Sequence, residues 1–247
     1  MRTTLITIAS ALLAVCAACG GGESQGRLPQ GSKPFEVDPT HFTTVIDHPY
    51  WPMKPSNRWI YRESDAEGAV SRVVVTVTNR TKTIMGIEAR VVHDHVTEGG
   101  EIKEDTFDWY AQDDRGNLWY LGEDTTEYED GKPKTKEGSW EAGVDGALPG
   151  IILPAHPQVG QTYREEYYKG HAEDGASIIS TDALAKVPHR RFEHGVQTRN
   201  FSGIDRCDRG GDLRGGRRRR ARDHGLGRLG PRRGPQLPRE LVARGAP

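Results

Sequence analysis

Between Phe35 and Ser202 the chain carries short apolar stretches broken by turn residues, and helical periodicity is nearly absent. Arg58–Ser64 puts Trp59 and Tyr61 on one face of an extended segment, and Arg72–Thr78 holds Val73, Val74 and Val75. Alternation with a period of two, bounded by turns, predicts strands. Met85-Gly86 forms a turn ahead of a strand over Ile87–Val96. Glu98–Glu101 is a second turn. Strands over Thr106–Gln112 and Asn117–Glu123 flank Asp113-Asp114-Arg115-Gly116, a hairpin connection. Asp130-Gly131 closes another hairpin, between Thr125–Glu129 and Lys134–Trp140. Ile151–Leu153, Thr162–Tyr168, Ser177–Ala185 and Phe192–Phe201 complete the set. Short strands joined by tight turns predict an all-β fold, an antiparallel meander forming a curved sheet or open barrel.

The N-terminus predicts a location. Met1-Arg2 precedes an apolar run from Leu5 to Val15. That run is shorter than the roughly 20 residues of a membrane span and fits a secretory signal. Ala17-Ala18 then leads into Cys19, the layout of a bacterial lipoprotein signal cut before a lipid-bearing cysteine. Cys16 follows the bulky Val15 and is the poorer acceptor. Residues 1–18 are read as the signal peptide, 19–34 as a flexible Gly/Ser/Gln/Pro tether, 35–205 as the β-domain and 206–247 as a disordered tail. The expected location is extracytoplasmic, lipid-anchored in the cell membrane. After Cys19 only Cys207 remains, which excludes a disulfide framework and a cysteine-based zinc site.

Composition changes abruptly at the tail. Arg206–Pro247 holds thirteen Arg, no Lys and four acids. Such a run ordinarily suggests nucleic acid or anionic lipid. From Asp208 onward, however, every residue can be encoded by a codon beginning with G or C. Ser, Thr, Ile, Lys, Asn, Phe, Tyr, Trp, Met and Cys are all absent there. A first base confined to G or C behaves like the wobble base of another frame. A one-base shift permits Asp208–Asp223 to read I-E-E-E-I-Y-A-A-G-V-G-V-V-R-E, a strand, turn and strand. The tail is therefore read as frameshifted, and no nucleic-acid partner is expected.

The motifs I-D-H-P-Y-W-P (Ile46–Pro52), R-W-I-Y-R (Arg58–Arg62), D-W-Y-A-Q-D (Asp108–Asp113), G-N-L-W-Y-L-G-E (Gly116–Glu123), G-S-W-E-A-G-V-D-G-A (Gly138–Ala147) and G-I-I-L-P-A (Gly150–Ala155) carry a resemblance. Phe42 to Asp174 resembles an uncharacterised family of secreted lipoproteins from high-GC bacteria. The resemblance implies a fold and a location and transfers no activity. Its members typically continue past Phe201 with an acidic strand and a G-V-G-like turn, which this chain lacks.

Candidate chemistry is sparse. There is no P-loop, no GxGxxG and no Gly-x-Ser-x-Gly elbow around Ser139. No catalytic residue, cofactor or metal is expected. His93 and His95 share a strand face and could hold zinc or copper, but Glu88, Arg90 and Asp94 around them favour a solvated polar face. Asp105, Asp108, Asp113, Asp114, Glu123 and Asp124 form an acidic cluster around an aromatic hairpin. Paired carboxylates of this kind can hydrolyse glycosides or bind calcium. Trp109, Tyr110, Trp119 and Tyr120 put aromatics on both faces of that hairpin. The Gly-rich stretch Gly138–Pro157 reads as an irregular loop, where sites concentrate. The expected ligand-binding residues are Trp109, Trp119, Trp140, Glu141 and Asp145. The expected function is a membrane-anchored β-domain binding a ligand or an envelope partner. The alternative is an envelope hydrolase acting on carbohydrate through acidic residues. A deep groove with two facing carboxylates would favour the enzyme, and an apolar cavity without paired acids the binder.

Overall fold

Five strands follow one another antiparallel in chain order, each paired with the next. They are β2 (Arg58–Ser64), β3 (Val70–Ile84), β4 (Ile87–Glu98), β5 (Glu101–Asp113) and β6 (Leu118–Glu129). β1 (Phe42–Thr43), preceded by a 3-10 turn at Pro39–His41, pairs with the end of β5. The outer edge of β6 is covered in succession by β7 (Lys132–Thr135), β8 (Trp140–Glu141) and β9 (Gly150–Leu153). A second sheet holds β10 (Thr162–Arg164), β11 (Asp174–Lys186), β12 (Arg191–Ser202) and β13 (Leu241–Val242). The computed structural model describes residues 27–65, 68–189, 191–203 and 241–242. The expected signal peptide, Cys19, and the tail apart from β13 lie outside the described residues. The fold is the expected antiparallel meander, and it does not close into a barrel.

The turns follow the sequence signals. Met85-Gly86, Gly99-Gly100 and Asp130-Gly131 each have both central residues at positive φ. That is the geometry whose twist matches two flanking strands. Val73, Val75 and Val77 alternate into the core from β3, while Val92 and Val96 do so from β4. The motif at Ile46–Pro52 supplies a plug. Trp51 packs edge-on against Tyr110 at 5.4 Å and near Trp59 at 6.3 Å. The buried His48 donates from Nε2 to the Pro154 carbonyl at 3.1 Å, and burial holds its pKa below the ordinary imidazole value.

Three segments differ from expectation. β6 is continuous through Asp124, which points outward to Lys136 and does not break the strand. Gly138–Pro157 is less irregular than its glycines suggested, because β6 is longer than one partner strand and its free edge recruits β8 and β9. The expected tether ends before Leu28. Arg164 is fully buried and donates from Nη1 to the Gly31 and Lys33 carbonyls at 2.7 and 2.8 Å. Its Nε and Nη2 donate to the Pro149 carbonyl at 3.1 and 2.8 Å. Burial brings this guanidinium down to a pKa of about 10, still charged at neutral pH. A buried cation needs such partners, and the backbone of residues 31–33 supplies them.

Candidate functional site

The inner face of the large sheet changes character along its strands. Cross-strand pairs Tyr110–Tyr120, Asp108–Glu123, Thr106–Thr125 and Glu104–Glu127 run in sequence along β5 and β6. The first pair is stacked in the core, with ring centroids 4.9 Å apart. The others, with Asp94 of β4, line a cleft of about 730 Å³. The opposite wall comes from Glu166, the turn Gly170–Asp174 and the end of β12 at Ser202-Gly203.

A β-bulge builds this arrangement. Residues three apart on a regular strand face opposite ways, yet Tyr120 and Glu123 meet on one face. Register on β6 shifts between Trp109–Gly122 and Tyr110–Tyr120, so Leu121 is the extra residue. Gly122 permits the shift at φ 132°, in the region that favours glycine. A Cβ there would lie 2.3 Å from the Trp140 carbonyl oxygen of β8.

Tyr120 Oη lies 2.7 Å from Asp108 Oδ1 and 3.0 Å from Glu123 Oε2. Burial first, then the charges of Asp108 and Glu123, push the phenol well above its ordinary pKa, so it keeps its proton. One hydroxyl hydrogen serves one carboxylate at a time. Glu123 is itself pushed well above the ordinary carboxyl value, by burial and then by Asp108. A proton on Glu123 completes a chain in which Glu123 donates to Tyr120 and Tyr120 donates to Asp108. Below these, the Thr106 and Thr125 hydroxyls bond to each other at 2.6 Å.

Glu166 stands apart. It is 1 % exposed, and neither carboxylate oxygen has a hydrogen-bond partner. Burial, then the nearby charges of Asp174 and Glu123, push its pKa well above the ordinary value. Only when Glu166 or Asp174 holds a proton can their carboxyls bond to each other. Ser202, directly opposite Asp174 on the neighbouring strand, donates its hydroxyl hydrogen to it. In all, nine carboxylates line the cleft against two lysines, Lys103 and Lys134. Both lysines are engaged elsewhere, with Glu101 at 3.3 Å and Glu129 at 3.0 Å. Acids therefore far outnumber cations along the cleft.

The acidic cluster read from the sequence is divided among separate tasks. Only Asp108 and Glu123 face the cleft. Asp113 caps the β5–β6 turn, accepting from the Arg115 and Asn117 backbone N–H groups, Asn117 Nδ2 and Trp119 Nε1 at 2.8–3.1 Å. Asp114 meets His41 at 2.6 Å, and Asp124 pairs with Lys136. Asp105 turns to the outer face. There its Oδ1 lies 2.6 Å from His93 Nε2 and 2.9 Å from His95 Nδ1.

The five expected ligand-binding residues do not line the cleft. Trp119 is buried beside Phe35 and Phe42. Trp109 and Glu141 are brought together by Lys82, whose Nζ lies 3.5 Å from the indole centroid and 2.7 Å from Glu141 Oε2. Trp140 is buried edge-on against Tyr120 at 5.3 Å, behind the cleft floor. Asp145 occupies an exposed turn at φ 49°. Sequence reasoning missed Glu166, Asp174 and Asp94. The pair Glu165-Glu166, set between Tyr163 and Tyr167-Tyr168, was the available signal, since adjacent acids in an aromatic stretch must place one carboxylate inward.

No protein-family model matches the chain, and no curated protein or solved structure matches it either.

Proposed function

We propose that the protein is an extracytoplasmic binding module, held at the membrane by lipid on Cys19, whose acidic cleft takes a ligand bearing ammonium or guanidinium groups. The carrying observation is Glu166, a buried carboxyl set beside Asp174 and facing a cleft of about 730 Å³ lined by eight further carboxylates. A desolvated carboxylate is costly unless paired, and a bound cation supplies the pair. The volume suits a small organic molecule rather than a lone ion. Carboxylates from both walls converge on it, so a ligand with two or more cationic groups can be held at both ends.

The hydrolase reading is favoured by one observation. Asp108 and Glu123 share a hydroxyl, so their nearest oxygens are under about 6 Å apart, close to the separation in retaining glycosidases. The geometry favours binding all the same. Tyr120 occupies the gap between the two carboxyls, where a sugar's anomeric carbon would have to sit. No cleft residue offers an indole platform for a sugar ring.

The test is calorimetric titration of the full chain with spermidine as probe. Saturable single-site binding is expected, tightening as the pH rises from mildly acid to mildly alkaline, because Glu123 and Glu166 must lose their protons to pair. Absence of saturable binding, or binding unaffected by Glu166→Gln, would refute the proposal. Release of reducing sugar from envelope glycan, abolished by Asp108→Asn, would establish the hydrolase instead.

A further inference from the structure

We propose that His93, His95 and Asp105 form a binding site for a divalent transition metal of borderline softness, with zinc as its simplest occupant. The site is independent of the acidic cleft, because it lies on the opposite face of the same two strands. On β5, Asp105, Phe107 and Trp109 alternate outward while Thr106, Asp108 and Tyr110 alternate inward. Register places His95 directly across from Asp105 and His93 across from Phe107.

Three donor atoms already converge. His93 Nε2, His95 Nδ1 and Asp105 Oδ1 all lie within 4.8 Å of one another. Two imidazoles and one carboxylate make a donor set that suits zinc. In a tetrahedral zinc site with bonds near 2.0–2.1 Å, neighbouring donors stand about 3.4 Å apart. The two hydrogen bonds, at 2.6 and 2.9 Å, therefore need to open by about 0.5–0.8 Å, which small side-chain rotations supply. On binding, each neutral ring carries its proton on the other nitrogen, so that His93 Nε2 and His95 Nδ1 offer lone pairs to zinc in place of N–H groups to Asp105.

The surroundings fix the ligands and leave the site open. His93 is stacked on Phe107, with centroids 4.6 Å apart and planes 11° from parallel. On β3 the residues opposite His93 and His95 are the uncharged Thr76 and Val74. The nearby cation Arg80 is engaged over the Phe107 ring at 5.2 Å. The three side chains are each a quarter to just over a third exposed. Water can therefore reach the fourth coordination position, the arrangement of a three-ligand open zinc site. The sequence pointed away from a metal because the charged neighbours Arg90 and Asp94 were assumed to share the histidines' face. Asp94 in fact faces the cleft, and the third ligand comes from another strand.

The experiment titrates zinc chloride into the full chain, in detergent and free of any histidine tag. Excess calcium is present to occupy the oxygen-only sites of the cleft, since it has little affinity for imidazole. Saturation by a single zinc ion is expected, weakened at least about tenfold by Asp105→Ala or His95→Ala. Ring-nitrogen NMR signals of His93 and His95 should shift together on zinc addition, and those of the other histidines should not. This readout uses the unaltered protein, so it decides the matter even if a variant fails to fold. Failure to saturate, affinity retained in both variants, or ring signals that do not move would each overturn the proposal.

Discussion

Replacing Glu166 by glutamine should stabilise the protein, and the gain should depend on pH. The side chain is 1 % exposed, and glutamine matches its shape. In the folded chain its pKa is raised well above 4.5 by burial, Asp174 and Glu123. A group raised in this way contributes its full stability below the unfolded pKa and loses it as pH rises toward the folded value. Between the unfolded and the folded values the folded carboxyl keeps a proton that the unfolded chain has released, so folding must take one up. The cost is about 1.4 kcal/mol for each pH unit between the unfolded value and the raised folded one. Glutamine carries no such cost, and its amide can donate to Asp174, a bond worth about 1 kcal/mol. Glu166→Gln should therefore be the more stable protein at pH 7, by on the order of a few kcal/mol. The gain should shrink by about 1.4 kcal/mol for each unit of acidification and flatten near the unfolded pKa. Urea unfolding of both proteins across that range measures it directly. A variant less stable than the parent at pH 7, or a difference that does not vary with pH, would show that Glu166 is not a strained, unpaired acid.

Gly122→Ala should cost about 2–5 kcal/mol, combining an unfavourable φ with the clash against the Trp140 carbonyl; a loss below about 0.5 kcal/mol in urea unfolding would mean that the bulge tolerates a side chain. Cys19→Ser should release the protein from membranes or block its maturation, and unchanged membrane fractionation with unchanged mass would count against the lipid anchor. Re-encoding the chain in the shifted frame after Cys207 should raise the melting temperature and reduce aggregation, by giving β12 a longer partner than β13, which pairs only with Val196 and Gln197; identical cooperative melting of the two versions would remove the structural case for a frameshift.

The fold was legible because it rests on local signals. Val73, Val75 and Val77 needed only their spacing to be placed inward, and Gly99-Gly100 needed only its composition to be placed in a turn. Asp108 and Glu123 were legible as acids beside aromatics but not as partners. In an unbroken strand Tyr120 and Glu123 would face opposite ways, and nothing local marks Gly122 as a bulge rather than another strand residue. The meeting of Glu166 and Asp174 with these acids was hidden for a different reason. Asp174 comes from another sheet and Glu166 from the connection after β10, and long-range packing sets their positions. The tryptophans attracted attention through their size, but size is equally a reason to be buried. Trp119 and Trp140 are buried, with Trp119 spending its one donor on Asp113.

On the binding reading proposed above, protons and cations are alternative occupants of the cleft. Without ligand, the acids reduce their mutual repulsion by retaining protons on Glu123 and Glu166, at a cost that grows with pH. A cationic ligand removes that cost by replacing the protons with fixed positive charge. At a concentration one hundred times its dissociation constant, a ligand adds about 2.7 kcal/mol of stability. Each pH unit over which Glu166 keeps its proton in the fold costs about 1.4 kcal/mol, so ligand and proton act on the same scale. It follows that Glu166→Gln separates the two effects. The variant should be the more stable protein without ligand, yet gain little from spermidine, while the parent gains most at the pH where it is weakest alone. A residue kept only for packing would not produce that crossover.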